Sequence, residues 1–206
     1  MPDISKLDAP ELLHLGIEAA GRNDHGAAIT YLKQAIDLPA GSIAISSDYA
    51  KALYMLGAEY AQIGLMDRAA DYMAQAIDMD DSLHTARFQL GLLHLTQAQV
   101  EQSLQVLAPL EQLGGDSCFT HIGAGLRHLI HDEFVDCRNS LLRGIQLNSE
   151  SAAPNLALNG DLQKLLAALP NAEGTAAADQ DAPAAEPTAE ASFLMSSYNR
   201  GGGAAN

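Results

Sequence analysis

The chain has no tryptophan, only four phenylalanines and six tyrosines, and two cysteines in 206 residues. Cys118 and Cys137 can make one bridge at most, so a disulfide framework is excluded as the organising principle. Basic residues are scarce too: eleven Lys and Arg stand against 26 Asp and Glu, a formal net charge of −15. Such a chain is repelled by phosphate backbones and anionic lipid, which argues against nucleic-acid and membrane partners. No stretch approaches the roughly 20 apolar residues that span a bilayer. The opening MPDISKLDAPELL lacks the basic and apolar blocks of a signal peptide, so the expected location is cytoplasmic. β-branched runs bounded by turn residues are missing, which leaves an all-β fold little support. The apolar residues, 48% of the chain, are largely Ala and Leu, and both favour helix.

What is present is a period of thirty-four. Residues 84–117 laid over 118–151 align Leu90-Gly91 with Ala124-Gly125, His94 with His128, Ser103 with Cys137 and Leu107 with Leu141. One period earlier, in 50–83, the same columns hold Leu56-Gly57, Tyr60, Ala69 and Met73. A degraded copy at 9–42 places Leu15-Gly16, Ala28, Leu32 and Ala35 there, with helices expected at about 9–22 and 26–38 around Arg22-Asn23-Asp24. Within each copy the glycine and the small column let two helix backbones approach, ridge into groove.

Several features break the array. Seven extra residues, 43–49, separate the first two copies; being two helical turns long, they either extend the next helix without rotating its face, the favoured reading, or form a short loop capped by Ser46, Ser47 or Asp48. Pro109 lies inside the second helix of the third copy and should kink it or cut it short. The fourth copy should close at Leu147-Asn148-Ser149. Leu162, Leu165, Leu166 and Leu169 then mark a capping helix within 152–169, starting near Asn159-Gly160-Asp161, which an array needs to cover its last apolar face. Residues 1–8 form a lead. From 170 to 206 the chain turns Ala-, Pro- and acid-rich, a disordered tail by composition, interrupted by an apolar island at 192–198.

The columns of 50–83 resemble those of the tetratricopeptide repeat, although Leu53 stands where that family has Trp and Asp81 where it has Pro. The resemblance implies an all-α fold, a right-handed α-solenoid of about four helix pairs with a C-terminal capping helix. It also implies that places 2, 5, 9 and 12 of each copy face a concave groove. That groove would include Leu13, Ile17, Tyr54, Phe88, Leu92, Leu95, Phe119, Ile122, Leu126 and Leu129. An apolar wall of this kind marks a binding surface for a protein or peptide segment that is itself apolar. The family subtype that grips terminal carboxylates uses Lys, Arg and Asn there; only Lys51 is basic. The implied function is a non-catalytic adaptor or scaffold. Two alternatives stand beside it. One is a secretion-type chaperone, since small acidic tetratricopeptide chaperones of type III translocators look similar in size and charge. The other is a structural homo-oligomer, for instance a homodimer, with the wall buried.

The remaining residues carry little chemistry. His128 and His131 are neighbours on a helix, but His94, His121 and His128 fall in core columns, and no metal is expected. Cys137 falls in the small column, where a thiol acts as a compact apolar group. Asp80-Asp81 and Asp132-Glu133 sit at turns, where acids cap helices. No phosphate-cradling glycine loop is present, and neither enzyme activity nor a cofactor is expected. In the tail, Phe193, Leu194, Met195 and Tyr198 form a candidate docking motif that could occupy the wall.

Overall fold

The computed structural model describes residues 7–38 and 47–170. Among these, all regular structure is helical: α1 Ala9–Gly21, α2 His25–Asp37, α3 Ser47–Gln62, α4 Met66–Met79, α5 His84–Thr96, α6 Val100–Leu107, α7 Cys118–Ile130, α8 Phe134–Glu150 and α9 Leu156–Ala168. Polar caps start three of them. Asp8 and Glu11 exchange side-chain and backbone bonds of 2.9 Å at α1, a capping box. Asp24 accepts from Ala27 N at α2 and Asn155 from Leu158 N at α9. Residues 47–49 of the insertion open α3; residues 43–46 lie outside the described part, as do the island residues Phe193, Leu194, Met195 and Tyr198. Two compact units are present, one through Leu90 and one from Gly91 on.

Inside each copy the same close approach recurs. A Cβ placed on Gly16 would stand 2.8 Å from Leu32 Cγ, and one on Gly91 2.6 Å from Leu107 Cγ. At Gly125 it would stand 2.7 Å from Leu141 Cδ2. Gly57 is the tightest against backbone, with Met73 Cγ at 2.9 Å, Ala69 O at 3.0 Å and Met73 N at 3.2 Å. Each glycine therefore receives the large apolar residue sixteen places on. Between them the small column (Ala28, Ala69, Ser103, Cys137) has no exposed surface. Ser103 is accommodated because its hydroxyl donates to Gly91 O at 2.8 Å.

The turns repeat as faithfully. Asn23, Gly64, Ala98 and Asp132 all have positive φ, between 57° and 79°. The residue after each returns its N–H to the helix just ended: Asp24 to Ala19 O, Leu65 to Tyr60 O, Gln99 to His94 O and Glu133 to His128 O, all 2.9–3.0 Å. This left-handed closure satisfies carbonyls that a helix end leaves open. It also corrects the capping expectation for the acids at 132–133: Asp132 is the left-handed residue, and Glu133 makes no side-chain cap bond to α8.

In the second unit, α6 ends after eight residues and a 3₁₀ turn, Ala108–Gln112, follows with Pro109 in its first positions. The ring that cannot continue an α-helix is tolerated at a helix start. Thr120 secures this turn to α7, donating to Leu110 O and Gly114 O at 3.1 and 2.8 Å. α8 runs on to Glu150 rather than closing at Ser149, and α9 begins at Leu156 rather than near Asn159, because Asn155 supplies the cap. The buried Asn148 joins the two helices: its amide donates to Asn155 O and Asn159 Oδ1, both at 2.8 Å, and its Oδ1 accepts from Asn155 N.

Candidate functional site

The ten side chains expected on an apolar wall divide into two sets. Phe88, Ile122 and Leu126 have no exposed surface, and Leu13 and Leu95 retain 6% and 8%. Those five are core, not wall. A side chain fully packed by its own chain has nothing left to offer a partner. Ile17 and Tyr54 in the first unit, and Leu92, Phe119 and Leu129 in the second, keep partial exposure.

Two polar features of the first unit were not legible as sites. His25 Nδ1 lies 2.8 Å from Glu59 Oε2, linking α2 to α3, with Glu59 only 5% exposed. Burial of a carboxylate demands such a partner. The second is an open cleft of about 360 Å³ lined by Lys33 of α2, Tyr60 of α3, and Arg68, Asp71, Tyr72 and Gln75 of α4. Tyr60 and Tyr72 stack with ring centroids 5.5 Å apart, and Arg68 Cζ lies 5.6 Å from the Tyr60 centroid. Those distances fit an aromatic pair extended by a cation–π contact.

Metal-ligating groups converge once among the described residues: donor atoms of His128, Glu133 and Asp136 lie within 4.8 Å of one another. The previous copy explains the core of this arrangement. There His94 Nδ1 donates to Gln99 Oε1 at 2.6 Å, and one period on His128 Nδ1 donates to Glu133 in the same way. The pair is a clamp across the helix turn, with or without a carboxylate. The bond from His128 holds Glu133 below its ordinary carboxylate value. His121, assigned to a core column, is instead half-buried and bonds to Gly115 O at 2.9 Å. His131 ends α7, exposed. Burial pushes the Cys137 thiol up to about 11 and raises that of Cys118 as well, so neither is primed as a nucleophile.

No helix among the described residues is long and apolar enough to cross a membrane. A family model described as the tetratricopeptide repeat matches residues 50–82. No curated protein matches the chain. Among solved structures, the chain is similar to the crystal structure of MamA, at 18% identity over 69% of this chain and 79% of that one, with a TM-score of 0.53. It is similar to the MamA RS-1 ArsTM double mutant at 14% identity over 98% of both chains, TM-score 0.52. A third, MamA 41-end from Desulfovibrio magneticus RS-1, aligns at 16% identity over 81% of this chain and 83% of that one, TM-score 0.50. The fold is thus all-α and of the helical-solenoid type, with a tetratricopeptide repeat matched at residues 50–82.

Proposed function

We propose that this tetratricopeptide-repeat chain is a non-catalytic protein-interaction scaffold that takes an apolar segment of a partner protein. The observation that supports it is the partial exposure of Ile17 and Tyr54 on one unit and of Leu92, Phe119 and Leu129 on the other. Apolar groups left half-covered on first helices are the places where a partner gains by removing water. Covering one such residue contributes on the order of 1 kcal/mol. A micromolar complex needs about 8 kcal/mol beyond the cost of association, so several of these contacts must act together with backbone hydrogen bonds.

The test is affinity capture from the native extract with the wild type beside an Ile17→Glu/Tyr54→Glu/Leu92→Glu/Leu129→Glu variant, its helicity checked by circular dichroism. All four sites are part-exposed, so the variant perturbs the surface rather than the core. Phe88 and Leu126 are left alone because a charge there would unfold the chain. A protein retained by the wild type and lost from the variant supports the reading. Identical companions in both sink it. A dimer that dissociates in the variant, seen by sedimentation, transfers the surface to self-association.

A further inference from the structure

We propose that the α2–α3–α4 cleft binds a peptide segment carrying one carboxylate beside an aromatic or aliphatic side chain. The proposal rests on the reading of the chain as an interaction scaffold and gives one of its partners a chemistry. The charge pattern carries it. Arg22, Arg127 and Lys164 pair with Glu18, Glu111 and Asp161, whereas Lys51, Arg138 and Arg143 reach no carboxylate among the described residues and line no common cleft with another cation there. Among the described residues Lys33 and Arg68 have no carboxylate within ion-pair distance, yet they come from different helices to line one cleft. Two cations and one acid facing a common space leave it one positive charge, which suits a single anionic group.

The remaining lining defines the rest of the ligand. Arg68 rests against the Tyr60 ring, which fixes its guanidinium while leaving N–H groups for a carboxylate. Tyr72 is part-exposed and backed by the stacked Tyr60, a rigid floor for a second apolar group. Gln75 Nε2 already donates to Asp71 O at 3.2 Å, so its Oε1 is the atom turned to use by a peptide N–H. Asp71 lowers the local balance of the lining to a single positive charge, which one carboxylate neutralises and a run of acids would overfill. Screening over about 8 Å at physiological salt keeps the distant acidic surface from deciding the outcome.

The experiment uses the full chain with ¹³C-labelled tyrosine and, as probe, an acetylated and amidated Ala-Glu-Ala-Phe-Ala peptide. The expected result is a saturable movement of the Tyr72 ring resonance. Affinity should fall about tenfold or more with a Gln-for-Glu peptide, and equally in a Lys33→Glu/Arg68→Glu chain. No saturable movement, or equal binding by the charge-reversed chain, overturns the proposal. The chain's own end carries Glu190 three residues before Phe193, the same chemistry. A Glu190→Gln/Phe193→Ala chain is therefore titrated alongside; binding seen only there assigns the cleft to that end and overturns an external partner. Loss of the cleft while the captured protein still depends on Ile17 and Tyr54 would leave the scaffold reading standing.

Discussion

Replacing Gly57 by alanine tests the packing argument at its tightest point. Alanine in place of a helical glycine ordinarily gains about 0.8–1.0 kcal/mol in intrinsic propensity. At Gly57 the new methyl would meet Met73 Cγ at 2.9 Å, Ala69 O at 3.0 Å and Met73 N at 3.2 Å. Two of those three atoms are backbone of α4 and cannot rotate away, so α3 and α4 must separate. Overpacking of this kind costs about 1–3 kcal/mol, and immovable neighbours place it toward the upper end. The net expectation is a loss of about 1–2 kcal/mol. Gly21, in the same unit, has nothing within 4 Å of its Cβ position, and the identical substitution there should be neutral or stabilising by up to about 1 kcal/mol. Urea unfolding followed by circular dichroism reads both, with the change in midpoint as the measure and an unchanged slope as the control. A Gly57→Ala chain as stable as Gly21→Ala would refute the claim that helix approach is set by this contact.

Three further outcomes are expected. Ala98 holds φ 57° without the freedom of glycine, a strain of about 1–2 kcal/mol partly offset by glycine's larger unfolded entropy, so Ala98→Gly should stabilise by about 0.5–1 kcal/mol, whereas Asn23→Gly should change little. With its thiol at about 11, Cys137 should alkylate on the order of a hundredfold more slowly at pH 8 than a free thiol, and at the ordinary rate in denaturant; protection absent in the folded chain would contradict its burial. His84 is held below its ordinary value, first by burial and then by Arg87. The unfolded chain therefore takes up that proton first: stability is retained above about pH 6.5 and declines as the pH falls from there toward the folded value. A His84→Gln chain should show a shallower decline in urea midpoint between about pH 7.5 and 5.5.

Structure was legible in the sequence where one residue type has one physical use. The glycine and small columns were legible because helix approach admits little else, and Pro109 because its ring has a fixed consequence. Asn23, Gly64 and Asp132 are ordinary left-handed residues, but Ala98 carries no such mark and its conformation was not legible. The wall was misjudged at Phe88, Ile122 and Leu126 because repeat position says which way a side chain points, not how completely its surroundings close over it. Asn148 was expected at the close of the fourth copy and proved to be the join to α9, through Asn155. The cleft could not be anticipated at all: Lys33 and Tyr72 lie thirty-nine residues apart, across an insertion that breaks the period.

The pairing of each glycine with the large residue sixteen places on has a consequence for how such a chain can diverge. Neither member can drift alone: a side chain gained at the glycine demands one lost at its partner, so the two columns must change in concert. A duplicated copy inherits both halves of the fit and packs internally from the outset. Sequence is then free to scatter between the copies, as it has from Ala69 to Ser103 to Cys137, provided each stays small. Lengthening the array by copying a unit is therefore easier than altering one glycine within it.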